Sequence, residues 1–295
     1  MDYRILGKTG LKVPSVGVGC WQMGGLTGGS GWTGTTDEES IATIHRAEEL
    51  GVNLLDTAPT YGDGHSEEVI GRALKGRRDR FVLATKALPI TDGPDEDKAR
   101  QRILDLCEGS LRRLQTDVID VYQLHDVPHE ATMPAVMEAL AELKRQGKIR
   151  WFGISTNDRD AICKLLALGD LATVQVGFSL LSRSGEEALR LARAENLGAL
   201  IRVPLASGAL TGKYFNVRQF EDEDRRRERF MSEKAAATFN KLSELLFLTE
   251  GDRRTMVQAA LRFVLDTEGV TSAIPGAKSR KQLEENTGAM DLSAL

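Results

Sequence analysis

The feature that most constrains this chain is an alternation that runs its whole length: a short apolar run, then a longer amphipathic stretch, then another run. The runs are SVGVGC (Ser15 to Cys20), NLLDTA (Asn53 to Ala58), FVLATK (Phe81 to Lys86) and VIDVYQLH (Val118 to His125). Then follow IRWFGIS (Ile149 to Ser155), TVQVGFS (Thr173 to Ser179), ALIRVPL (Ala199 to Leu205) and TSAIPG (Thr271 to Gly276). Several are rich in Val and Ile. They need not alternate polar with apolar, which suits parallel strands buried on both faces. The stretches between them carry helical spacing. Asp37 to Leu50 begins with acids and stops at Gly51, and Asp95 to Leu114 sets Ile103, Leu104, Cys107, Leu111 and Leu114 on one face. Met133 to Gln146, Gly185 to Asn196 and Thr255 to Thr267 each end at or near a glycine. About eight β–α units favour a (β/α)8 barrel, although alternation alone leaves an open doubly wound sheet in play.

The length of 295 residues suits one such barrel, so residues 1–295 read as a single domain. Ahead of the first unit, YRILGKTGLKVP reads as a hairpin turning at Lys8-Thr9-Gly10 and placed to plug the barrel's N-terminal end. From Lys213 to Lys234 the chain holds EDEDRRRERF, a mixed-charge run that reads as a solvated, mobile excursion. With a net charge of -4 the chain lacks the basic face that nucleic acid needs. Cys20, Cys107 and Cys163 are odd in number and far apart, so they suggest neither a disulfide framework nor a zinc site. They point to a reducing compartment. No apolar signal core opens the sequence, and no stretch approaches the ~20 apolar residues of a membrane span. The expectation is a soluble cytoplasmic protein without nucleic-acid or membrane partners.

In a barrel, chemistry belongs at the C-terminal strand ends. Here the second run carries Asp56, the third ends in Lys86, the fourth in His125 and the fifth in Ser155. Tyr61 follows Asp56 in the loop APTYGDG. Each of these has a plain structural alternative: a strand-end cap, a surface lysine, a satisfied core histidine, a loop aromatic. Four of them at successive strand ends point instead to one site. Asp56 and Lys86 should pair, because a buried unpaired charge is costly. The ammonium should lower the Tyr61 pKa by favouring the phenolate, making Tyr61 a general acid near neutral pH. His125 can orient a carbonyl oxygen. Such a set suits hydride transfer to a C=O followed by protonation of the alkoxide, with a cofactor supplying the hydride.

The residues also resemble a known family, the aldo-keto reductases, from end to end. The matching stretches are LLDTAPTYGDGHSEEVIGRAL, VLATK, SLRRLQTDVIDVYQLH, ALAELKRQGKIRWFGIS, VPLASGALTGKY and IPGAKSRKQLEEN. The resemblance implies the (β/α)8 barrel, a catalytic tetrad at Asp56, Tyr61, Lys86 and His125, reduction of aldehydes or ketones, and NADP(H) as cofactor. It implies a nicotinamide end near Ser155, Thr156 and Gln175, with Cys20, Trp21 and Asp56 at the same mouth. It places the pyrophosphate under the loop from Pro204 to Lys213, through Leu205, Ser207 and Gly208. The adenosine end falls at Gly276, Ala277 and Lys278, with Gln282, Glu285 and Asn286 around the adenine. Ser279 opens the final helix, whose N-terminus favours anions, and Lys278 and Arg280 suit a 2′-phosphate. The segment GVGCWQMGG (Gly17 to Gly25) superficially matches G-x-G-x-x-G but has Gln at position 22, and is not read as a dinucleotide loop.

Two departures matter. Where many members have Ser-Asn after the fifth strand, this chain has Ser155-Thr156-Asn157, leaving open which side chain meets the amide. Where many have a tyrosine stacked on the nicotinamide, this chain has Arg202. A guanidinium can stack on a ring, or reach a phosphate oxygen or an anionic substrate, so Arg202 is a cofactor-or-substrate contact. Trp21, Gln22, Trp32 and Asp126 are the substrate-pocket candidates, Trp32 lying in the glycine-rich GGLTGGSGWTG. Two other functions compete. His125, Asp126 and His129 offer ligands for a metal hydrolase, but from too few strands. A redox-sensing or regulatory subunit that binds NADPH with little turnover is the other, against which the intact tetrad argues.

Overall fold

The computed structural model describes residues 2–25, 35–212, 242–252 and 254–295. The eight apolar runs all become parallel strands of one sheet: β3 (Val18–Gly19), β4 (Leu54–Asp56), β5 (Val82–Ala87), β6 (Ile119–Leu124), β7 (Ile149–Ser155), β8 (Thr173–Gly177), β9 (Gly198–Arg202) and β10 (Ser272–Ala273). Each strand pairs with the next in sequence. Parallel bridges from Val16 to Ala273 and from Gly19 to Gly276 bring β10 back beside β3 and close the barrel. Every residue of β4, β5 and β6 is buried, which explains why these runs show no period of two.

Ahead of the barrel, β1 (Tyr3–Ile5) and β2 (Lys12–Pro14) form the expected hairpin, with Arg4 opposite Val13. The Thr9 hydroxyl donates to the Leu6 carbonyl across its turn at 2.6 Å. Leu6 and Val13 pack with Leu54, Val82, Val121 and Leu200, the residues that line the barrel floor. The hairpin therefore plugs the end opposite the C-terminal strand ends.

The helices form the outer layer: α1 (Asp37–Glu49), α2 (His65–Ala73), α3 (Glu96–Leu114), α4 (Met133–Arg145), α5 (Arg159–Leu168), α6 (Glu186–Ala194), α7 (Met256–Asp266) and α8 (Arg280–Thr287). Their starts follow capping chemistry. Thr36 caps α1 beneath three acids, Asp95 caps α3, and Thr255 with Gln258 makes a reciprocal capping box on α7. Their apolar faces join the outer faces of the strands in one large core.

A buried ion pair joins three of these elements. The Glu67 carboxylate on α2 is fully buried. It accepts from Arg113 Nε on α3 at 2.7 Å and from the Thr85 hydroxyl on β5 at 2.6 Å. It lies outside the barrel wall, fixing α2 and α3 behind the catalytic strands.

Candidate active site

The C-terminal strand ends bring the four predicted groups together. Asp56 ends β4, Lys86 lies one residue before the end of β5, and His125 follows β6 directly. Tyr61 hangs from the β4–α2 loop. That loop is held from both sides: Ser66 Oγ donates to the Cys20 carbonyl at 2.8 Å, and Gly62 packs on the backbone of Gly24. At Gly62, φ is +64° and an added Cβ would fall 1.9 Å from the Gly24 oxygen, so only glycine fits.

The ammonium of Lys86 is fully buried and uses all three of its protons. It donates to Asp56 Oδ1 at 2.7 Å, to the Thr57 carbonyl at 2.8 Å and to the Tyr61 hydroxyl at 3.2 Å. The other Asp56 oxygen accepts from Gln175 Nε2 at 2.7 Å and from Gln123 Nε2 at 3.4 Å. Nothing in this buried pair is left without a partner, the condition under which such a pair is tolerated. Gln123 was not foreseen. Its signal was its position two residues before His125 on β6, hence on the same inward face.

The charges set protonation states. Burial lowers the Lys86 pKa, but the Asp56 carboxylate and the Tyr61 oxygen outweigh it and raise it above the ordinary lysine value. Tyr61 corrects an expectation. Burial pushes its phenol up, the pull of Lys86 offsets this only in part, and the net pKa lies above the usual value rather than below it. The Asp56 carboxylate adds to the upward push of burial. The phenol is therefore held protonated near neutral pH, with its oxygen hydrogen-bonded to Lys86.

His125 is pulled down to about 3 by burial, and further by the positive charges of Lys86 and Arg202. It is a neutral imidazole with one N–H. Its ring stands edge-on to Tyr61, with centroids 5.8 Å apart, and Nδ1 lies 3.4 Å from the Thr60 hydroxyl. With Thr60 donating there, the ring proton resides on Nε2, an assignment that rests on this hydrogen bond. The unfolded chain has an ordinary imidazole and binds a proton that the fold refuses. Stability from this residue therefore falls as pH drops from about 6.5 towards 3. His125→Gln is expected to flatten the stability curve between about pH 6 and about pH 4 in urea titrations. An unchanged slope would reject the burial assigned to this ring.

A cleft of ≈ 670 Å³ opens above the tetrad and runs past the ends of β7, β8 and β9 to α8. Trp21 stacks on Tyr61 with centroids 5.9 Å apart, and Asp126 stands at the rim. Ser155 Oγ lies 3.5 Å from Gln175 Oε1, so both face the cleft floor beside Asp56. Thr156 Oγ1 accepts from the Asp158 N–H, while Asn157 spans the Gly177 backbone and Ser184. The two side chains that left the amide contact open are thus both engaged locally. Pro204, Leu205, Ser207 and Gly208 form the wall after β9. In that wall Val203, Ala206 and Ser207 all have positive φ, a strained course for residues other than glycine.

At the far end lie Gly276, Lys278, Gln282, Glu285 and Asn286. Asn286 Nδ2 donates to the Gly276 carbonyl at 3.3 Å, and Gln282 Oε1 accepts from the Lys278 N–H at 2.8 Å. Gln22 belongs here rather than beside Tyr61: its amide packs so closely on Gly276 that an added Cβ would lie 1.7 Å from Nε2. Its buried Oε1 has no partner. Arg280, the other expected 2′-phosphate group, is held by Glu39 of α1 and does not line the cleft. Ala277 turns its methyl into the core. Cys20 lines the cleft floor but is fully buried, and burial first, then Asp56, pushes its thiol well above the ordinary range. Trp32, Lys213 and the EDEDRRRERF run lie outside the described residues. Among the described residues no three His, Cys, Asp or Glu side chains gather as metal ligands, and no helix is long and apolar enough to cross a membrane.

The cleft suits a dinucleotide: amide and hydroxyl donors beside the tetrad, an orphaned acceptor on Gln22, and a lysine with a helix N-terminus at the far end. The Aldo/keto reductase family model matches residues 15–295. The chain belongs to the aldo-keto reductase family. Among its relatives, Aldo-keto reductase YhdN of Bacillus subtilis (strain 168) is 36% identical over 96% of this chain and 87% of that protein. The NADH-specific methylglyoxal reductase of Escherichia coli (strain K12) is 32% identical over 98% and 93%. An aldo/keto reductase from Klebsiella pneumoniae, solved in complex with NADP and acetate, superposes with a TM-score of 0.77 at 28% identity, covering 100% of this chain and 92% of that one. The tetrad thus sits in an aldo-keto reductase barrel, at its catalytic end.

Proposed function

We propose that this aldo-keto reductase reduces aldehydes or ketones to alcohols with NADPH, Tyr61 giving the proton that completes the alcohol. The observation that carries this reading is the single buried ammonium of Lys86, which touches both the Asp56 carboxylate and the Tyr61 oxygen. NADPH, when bound, supplies the hydride. The substrate oxygen lies within reach of the Tyr61 O–H and of the His125 N–H. Tyr61 passes its proton to that oxygen, and Lys86 steadies the phenolate left behind. Asp56, held by Gln175 and Gln123, keeps Lys86 charged and in place. Trp21 shields one side of Tyr61 from water.

Ser155 and Gln175 would hold the nicotinamide amide, the Pro204–Gly208 wall the pyrophosphate, and Gly276 to Lys278 with Gln282, Glu285 and Asn286 the adenosine end. Lys278, which lines the cleft as Arg280 does not, then carries the preference for a 2′-phosphate. Lys278→Ala is expected to weaken NADPH binding about tenfold and NADH binding much less, read by fluorescence titration of both cofactors. Equal weakening would remove that role.

The test of the function is NADPH oxidation, followed optically, across a panel of aldehydes and ketones. Methylglyoxal belongs in that panel, being named in one relative's activity. Tight NADPH binding with negligible turnover throughout would return the regulatory alternative, which no feature of the site favours. We take residues 1–295 as one barrel domain acting on small molecules. Its three free, dispersed cysteines fit the reducing cytoplasm.

A further inference from the structure

We propose that Arg202 makes this enzyme selective for anionic carbonyl compounds, gripping a substrate carboxylate or phosphate from the cleft wall at the end of β9. The inference rests on the carbonyl-reductase reading above and names the substrate class of that same site.

The argument begins with how this chain treats its other part-buried arginines. Arg262, with 10% of its side chain exposed, pairs with Asp266. Arg78 at 24% pairs with Asp120, and Arg113 at 27% with Glu67. Each of these three cations has a carboxylate, which offsets the cost of withdrawing a charge from water. Arg202 is also part-buried, yet among the described residues its guanidinium has neither ion pair nor hydrogen bond. Its Nε is buried and unpartnered. Burial drags its pKa down, and Tyr61 and Asp126 resist only through space. The Asp126 carboxylate does not come to it, and instead caps the N–H of Val127 at 2.8 Å.

The guanidinium is also well placed. Arg202 lines the same cleft as Tyr61, His125 and Ser155. Val203, the next residue, is a β-branched side chain at φ +56°. Strain of that kind persists where the surroundings hold a residue for use. Its planar fork is matched to two oxygens of one anion. A substrate anion would supply the partner that the described residues do not.

The test compares three aldehydes with one ring: 4-carboxybenzaldehyde, 4-formylphenyl phosphate and the uncharged methyl 4-formylbenzoate. At saturating NADPH, the wild type should show a kcat/KM at least about tenfold higher for one or both charged aldehydes than for the ester. The better of the two tells carboxylate from phosphate. In Arg202→Leu that ratio should fall to about one, the loss appearing in KM for the charged substrate. Arg202→Lys should recover part of it. The ratio cancels any general loss of turnover. A wild type without preference, or a ratio unmoved in Arg202→Leu, overturns the proposal. Equal losses on all three aldehydes, with weaker NADPH binding, make Arg202 a cofactor contact instead. Ester turnover without charge preference sinks this inference alone, whereas turnover of no aldehyde sinks the reductase reading beneath it.

Discussion

Tyr61→Phe is expected to lower kcat for carbonyl reduction by about 10²–10⁴-fold, the range for removing a positioned general acid. The substitution takes away one hydroxyl whose protein partner is Lys86 Nζ at 3.2 Å. The phenyl ring keeps its stack on Trp21 and its edge contact with His125. NADPH affinity and thermal stability should therefore stay close to wild type, so that the loss lies in the chemical step. Single-turnover mixing of the NADPH complex with aldehyde reads that step directly. A variant that reduces aldehydes at the wild-type rate would show that the proton comes from elsewhere, His125 being the nearest candidate.

Lys86→Met should be damaging in a second way. It removes the counter-charge of a carboxylate that is almost wholly buried, and breaking a buried pair from one side costs about 3–5 kcal/mol. Activity falls as well, because Tyr61 loses the cation that would steady its phenolate. The double change Asp56→Asn with Lys86→Met separates the two effects. It removes both charges, so much of the stability should return while activity does not. Urea unfolding of wild type, single and double variants, beside their turnover, checks this. A single variant as stable as wild type would mean that Asp56 finds water or a proton at no cost, contrary to its packing under Gln123 and Gln175.

The barrel was legible because burial on both faces writes parallel strands as unbroken apolar runs, and all eight runs became strands. Helices α2 and α5 were not read. The first has nine residues and opens at Gly64 without a side-chain cap; the second has ten and begins only four residues after the fifth strand ends. The tetrad was legible because strand ends give each residue an address. The Tyr61 pKa was not, since its direction turns on how burial compares with a half-neutralised ammonium, and that balance exists only once the chain is folded. Distant pairings were equally hidden. Nothing near Arg280 in sequence announces Glu39, and nothing near Glu67 announces Arg113. Gln22 was grouped with the substrate candidates, but its amide packs on Gly276 while Trp21 stacks on Tyr61.

The state of Cys20 bears on how long such an enzyme survives its own substrates. Reactive carbonyls and their unsaturated relatives alkylate sulfur, and they do so through the thiolate. Here the sulfur nearest the chemistry is buried at the cleft floor, its hydrogen directed at the Val18 carbonyl 3.6 Å away, and burial first, then the nearby Asp56 carboxylate, discourages its ionisation. An electrophile concentrated in the cleft meets a phenol, an imidazole and two amides, none a match for a free thiolate. The barrel thus keeps the sulfur nearest its cleft in the unreactive thiol form.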